Sequence, residues 1–188
     1  MKIPQIVTYL VLLFYSLNFC IAQKNTLSTM SSGVYDVEEN IVIKEAIATD
    51  NHKTLLAAFN ATDLEEVLEE SGPFTIFAPS DVAFSKFSQS KLEAMLNSDD
   101  KNQLKSVLKY HIVAGKLTAS KILKALCRGK GRTTFTTIQG DKITATMRGL
   151  DIILTDTMGN SAKITVADSN RGNGVVHEID SVILPTRI

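Results

Sequence analysis

Imidazole is the side chain best suited to proton transfer near neutral pH and is the commonest metal ligand, so His52, His111 and His177 are the first residues to weigh. They stand far apart in the chain, and without a closely spaced pair they form no metal-binding pattern. His177 lies beside Val176 and two residues before Ile179, which suits a core imidazole bonded to backbone. The sequence contains no Gly-x-Ser-x-Gly elbow and no phosphate-cradling glycine loop. Catalysis needs a clustered set of reactive groups, so the expectation is a non-enzymatic protein with no metal and no cofactor.

Charge is the other source of chemistry. Lys121, Lys124, Arg128, Lys130 and Arg132 form the one local excess of positive charge in a chain whose formal net charge is zero. Such a patch suits acidic polysaccharide, anionic lipid headgroups or a negatively charged partner protein, and the alternative is a solvated loop. Nucleic acid is excluded as a partner by overall neutrality and by the lack of aromatic residues interleaved with the cations. A hydrophobic fraction of 44% and a charged fraction of 21% are ordinary for a globular chain, and 188 residues suit one domain.

These residues must be positioned by elements, and Gly72-Pro73-Phe74-Thr75-Ile76-Phe77-Ala78-Pro79-Ser80-Asp81-Val82-Ala83-Phe84 supplies the clearest of them. Residues 74–78 read as a buried strand, ended by Pro79, which cannot donate to a ladder. Ser80 or Asp81 then caps a short helix with Phe84 and Phe87 inward. Upstream, Ile41, Ile43, Ala46 and Ile47, then Leu55, Leu56, Ala58 and Phe59, suggest two short helices around Asp50-Asn51. Asp63 reads as an N-cap for 64–70, with Leu64, Val67 and Leu68 inward and Glu65, Glu66 and Glu69 in solvent.

Downstream, 92–96 and a longer helix starting at Asp99-Asp100 continue the pattern. Leu104, Val107 and Leu108 line the second of these, which delivers Tyr110 and His111 at its C-terminal end. Gly115 ends that segment, and 119–126 is a helix with Ile122, Leu123 and Leu126 inside and Lys121 and Lys124 outside. From Arg132 the texture becomes strand: 135–138, 142–147, 152–154 and 162–166, separated by Gln139-Gly140-Asp141, Arg148-Gly149 and Met158-Gly159-Asn160. Helices first and strands second predict an α+β domain, with helices on one side of a mainly antiparallel sheet.

The stretch 75–84 resembles the first signature of the fasciclin domain family. Asn173-Gly174-Val175-Val176-His177-Glu178-Ile179-Asp180-Ser181-Val182-Ile183-Leu184-Pro185 resembles the second, and Leu108-Lys109-Tyr110-His111-Ile112-Val113-Ala114-Gly115-Lys116-Leu117 is similar to the family's central Tyr-His segment. Together they cover about 38–185. The resemblance implies a fasciclin-like β-wedge flanked by several short helices, with the strand at Phe74 and a final strand over 175–184 in the core. It implies structural roles for Phe77, Ala78, Pro79, Ser80, Asp81, Phe84, Gly174, His177, Ile179, Asp180 and Pro185.

The same resemblance implies adhesion sites. In animal matrix members a Tyr-His pair flanked by branched apolar residues is implicated in integrin-mediated adhesion, which makes Tyr110 and His111 candidates; the alternative is that they close the helix and pack beneath the sheet. A second family motif places an aspartate at Asp168, but Ser169 stands where isoleucine is expected. Asp168 reads equally as an organiser of the 169–173 loop through local bonds.

Residues 1–22 have a basic start at Lys2, an apolar run over 6–19 and, in Cys20-Ile21-Ala22, a small residue at each recognition position, the pattern of a cleaved secretory signal. A flexible leader is expected over 23–37 and the fasciclin-like domain over 38–187. Processing leaves Cys127 alone, expected to be a buried or quiet thiol, with intermolecular pairing as the alternative. Asn60-Ala61-Thr62 is a glycosylation sequon. The expected protein is a monomer, secreted or periplasmic, with no integral membrane segment once processed. It mediates adhesion or matrix and cell-surface association through protein or polysaccharide contacts. The alternative is a carrier of a small apolar ligand in a cleft between helices and wedge.

Overall fold

The computed structural model describes residues 47–64, 68, 72–171 and 174–186. The expected signal, leader, first helix and glutamate face of 64–70 therefore fall largely or wholly outside the described residues. Strand β1 (Phe74–Pro79) is buried from Thr75 onward. It pairs antiparallel with β2 (Ile112–Ala114) and parallel with β7 (Gly174–Ile179), in the register Ile76 to Val176 and Phe77 to His177. Beyond β7 the sheet continues antiparallel through β6 (Ser161–Arg171), β5 (Asp151–Thr155), β4 (Lys142–Arg148) and β3 (Arg132–Thr136). A bridge between Val113 and Thr137 brings the two edges together, so the sheet nearly closes on itself.

Successive side chains of a strand point to opposite faces, and the core divides accordingly. Phe77 and Ile179 point into one cluster with Tyr110, Ile143 and Leu154, while Ile76, Ala78 and Val176 point into another with Leu55, Phe59, Phe84, Leu92 and Leu104. The second cluster is covered by α1 (Lys53–Asn60), α2 (Asp81–Lys86), α3 (Gln89–Asn97) and α4 (Asn102–Tyr110). Helix α5 (Ala119–Arg128) instead packs Ile122 and Leu126 into the first cluster. Helices thus lie on both faces of the sheet, not on one side only.

Several local readings differ from the structure, among them the strand expected over 135–138, which spans Arg132–Thr136. Leu123, expected inside α5, is 41% exposed. The long helix begins at Asn102, and Asp100 caps it from outside by accepting from the Asn102 N–H at 2.9 Å. The final strand stops at Ile179. After it the Asp180 carboxylate accepts the Lys163 N–H at 2.8 Å, and the Leu184 N–H turns to the buried Asp156 carboxylate at 3.0 Å. The Asp180 N–H still reaches the Lys163 carbonyl at 3.1 Å, and beyond it the Leu184 N–H is taken by a side chain instead of a strand partner.

Candidate functional site

A chain of partly buried polar contacts positions α5 and the charges it bears. Thr75 on β1 donates through Oγ1 to the Gly115 carbonyl at 2.6 Å and accepts the Leu117 N–H at 2.8 Å. The Leu117 carbonyl is thereby held against His177, whose Nε2–H donates to it at 2.7 Å. His177 Nδ1 accepts the Asp168 N–H at 3.2 Å, and its ring stacks on Phe77 at 5.7 Å between centroids. Asp168 in turn accepts the Ala119 N–H at 2.8 Å, at the start of α5. Burial lowers the His177 pKa, so the imidazole is held neutral, as this two-sided bonding requires. The backbone-bonded core role expected of His177 is what the structure contains. Asp168 differs: held at a positive φ of 59°, it reaches across the fold to α5 instead of ordering the loop that follows it.

Tyr110 and His111 lie in the core. The Tyr110 hydroxyl donates to the Lys142 carbonyl at 2.9 Å, and burial, aided by the Asp156 and Asp141 charges, pushes its pKa up to about 12. His111 donates from Nδ1 to the Val107 carbonyl at 2.8 Å and accepts the Ile183 N–H at Nε2 at 3.4 Å, with its pKa pulled down to about 4 by burial. Neither side chain is presented to a partner on this surface, and both tie α4 to neighbouring backbone.

Ser80 caps α2, its Oγ accepting the Ala83 N–H at 3.2 Å. Asp81 serves a different helix: its carboxylate accepts the Thr54 and Lys53 N–H groups, at 2.8 and 3.2 Å, at the start of α1. Desolvation raises the Asp81 pKa, but these two donors outweigh it and hold the carboxyl below its ordinary value. Pro79, Ala78, Phe84, Ile179 and Pro185 are buried, and Gly174 opens β7.

On the surface, Lys121, Lys124 and Arg128 recur at helical spacing on one exposed face of α5. The helix ends at Gly129, where an added Cβ would meet the Arg132 carbonyl oxygen at 1.9 Å. Lys130 takes a left-handed φ of 54°, and the Gly131 N–H returns to the Leu126 carbonyl at 2.8 Å, which turns the chain into Arg132 and β3. All five cations are exposed on this helix and its return, so the structure brings them together. Among the described residues none of them has a carboxylate partner, and Lys121 Nζ donates to the Lys116 carbonyl at 2.7 Å. Cys127 sits among them as an exposed free thiol, so of the buried and the quiet reading the buried one does not hold.

Among the described residues no cluster of His, Cys, Asp and Glu is arranged to hold a metal, and no helix is long and apolar enough to cross a membrane. His52 is buried, with Nδ1 2.6 Å from Thr49 Oγ1 and Nε2 3.7 Å from Glu178 Oε2. Two grooves of about 290 and 350 Å³ flank Phe87 and Leu184, one reaching Lys91 and Met95 of α3 and the other Lys86 and Asn160. The sequence names a cleft between helices and wedge but not these residues, because Leu184 reaches Phe87 only through the turn after β7.

The profile of the Fasciclin domain matches residues 50–185. Protein sll1483 of Synechocystis is 33% identical over 144 residues, which span 77% of this chain and 73% of that protein. The immunogenic protein MPB70 of Mycobacterium bovis is 30% identical over 148 residues, covering 74% of this chain and 68% of its own. Human periostin is 30% identical over 138 residues, 73% of this chain but 15% of periostin. A solved structure of a FAS1 domain pair from the insect cell adhesion molecule Fasciclin I superposes with a TM-score of 0.56 at 22% identity, covering 70% of this chain and 44% of that one.

Proposed function

The chain belongs to the fasciclin domain family, and on that premise we propose that it is an exported, non-enzymatic adhesion module that associates with cell-surface or matrix partners through the basic face of α5. The observation that carries this reading is the continuous exposure of Lys121, Lys124, Arg128, Lys130 and Arg132 without carboxylate partners among the described residues. A fixed cationic strip attracts an acidic protein surface or acidic polysaccharide. The likeness to a domain pair from a cell adhesion molecule supports the same role. The buried Tyr110 and His111 hold the scaffold in this reading, and Asp168 holds the start of α5.

The test compares the wild type with a variant carrying Gln at all five positions, for saturable binding to cells, extracellular material and immobilised acidic polysaccharide at moderate salt. The expected result is a Kd at least about tenfold weaker in the variant, a loss of about 1.4 kcal/mol, with unchanged thermal melting. Absent or unchanged saturable binding sinks the reading.

The groove of about 290 Å³ between Phe87, Met95 and Leu184, with its mainly apolar lining, favours a second reading, carriage of a small apolar ligand, since its volume approaches that of ligand sites. Native mass spectrometry decides it: an apolar mass that co-purifies and is lost in Leu184→Asp supports carriage, and its absence across preparations rejects it.

A further inference from the structure

The β4–β5 hairpin turns at Arg148-Gly149-Leu150-Asp151, with Arg148 paired to Asp151 and Gly149 at a φ of 63°. Two-residue hairpin turns ordinarily carry polar or glycine residues. Here Leu150 stands 97% exposed at the apex and Met147 is 37% exposed just behind it. Leu150 belongs to neither core cluster, so folding does not account for its being apolar.

Cations surround this apex. Arg148 flanks it on β4, and the register places Arg132 of β3 beside Thr146, two residues before Arg148 and on the same face of the pleat. The return from α5 that leads into Arg132 brings Lys130 and Arg128 to the same end of the sheet. Asp151 is the one carboxylate of the turn, and Lys163 Nζ lies 3.7 Å from it. An apolar apex within a cationic rim complements one kind of surface: anionic headgroups for the cations and, just beneath them, an apolar phase for the leucine. A hydrated acidic polysaccharide or an acidic protein strip uses the cations but has no place for a protruding Leu150.

We propose that the Leu150 hairpin tip is a peripheral membrane contact, which inserts Leu150 into the interface of an anionic bilayer while Arg148, Arg132, Lys130 and Arg128 meet lipid phosphates. Arg128, Lys130 and Arg132 are shared with the adhesion face proposed above; Leu150 and Arg148 are not, and they separate the two ideas.

The chain contains no tryptophan, so Leu150→Trp places a single indole at the apex. On mixing with vesicles of phosphatidylcholine and phosphatidylglycerol its emission shifts to shorter wavelength; with phosphatidylcholine alone, or in about 0.5 M salt, it does not. Wild-type protein co-sediments with the anionic vesicles, and Leu150→Asp and Arg148→Gln each reduce this at least about fivefold. Both variants melt as the wild type does, since both side chains are exposed, and both retain any binding to immobilised acidic polysaccharide. An indole emission in the Leu150→Trp variant that anionic vesicles leave unshifted overturns the proposal, as does Leu150→Asp co-sedimenting like the wild type. Loss of polysaccharide binding in Leu150→Asp also overturns it, because the tip would then serve a hydrated partner. The adhesion reading stands or falls separately, on the five-charge variant.

Discussion

Burial holds His111 neutral, outweighing the Val107 carbonyl, which by accepting from the ring favours its protonated form; the Ile183 N–H meets the other ring nitrogen. With a native pKa of about 4 against an ordinary value near 6.5, the unfolded chain takes up a proton across that interval and the native protein does not. Stability therefore falls as the pH drops from about 6.5 to about 4, by up to about 3 kcal/mol, and the lowered His177 contributes with the same sign. Urea unfolding at a series of pH values measures this, and a stability independent of pH across the interval contradicts it. The sequence made the role of His177 legible through its apolar neighbours in a strand. It did not make Asp168 legible, because the N–H it accepts belongs to Ala119, on a distant element. Leu123 misled for a simpler reason: with Cys127, four residues on, it shares a flank of α5 that lies outside the stripe of Ile122 and Leu126.

Among the elements, α1 and α2 are coupled through one carboxylate. Asp81 follows the capping Ser80, yet it satisfies the first N–H groups of α1, and the Asp81 N–H donates to the Asn51 carbonyl at 2.7 Å. Asp81→Ala is expected to cost about 1–2 kcal/mol, the range for a lost helix cap, with Asp81→Asn milder. Denaturant midpoints of both variants test this, and an alanine variant as stable as the wild type rules out the cap. Strand, stop and helix start in 74–87 were legible because hydrophobic alternation, Pro79 and Ser80 all act locally. The end of β7 was not: the apolar residues 182–184 prolong the pattern of a strand, while the bonds that end it come from Lys163 and Asp156 elsewhere in the fold.

Across the whole molecule, the α+β class followed from the order of helices before strands and the fasciclin-like sheet from three signatures in order, and the placement of α5 on the second face followed from neither. Its apolar stripe is indifferent to which face it covers, and that choice is made by the Thr75, His177 and Asp168 contacts. The core joins distant parts of the chain: Phe77 of β1 and Ile179 of β7, both fully buried, meet in one cluster. Phe77→Ala and Ile179→Ala are each expected to lose about 3 kcal/mol or more, as emptied core sites do, and wild-type-like melting of both would show the cluster to be misassigned. The strand order carries a further consequence for how the protein is made. β7, the last of the described strands to leave a ribosome, is inserted between β1 and β6 near the middle of the sheet. Until it is synthesised, β1 and β6 present unpaired ladder edges to each other's empty flank, and local contacts cannot substitute for so long-range a pairing. A nascent chain interrupted before residue 174 has α1 to α5 but no closed sheet, so folding waits for the synthesis of β7 and premature termination yields an aggregation-prone fragment.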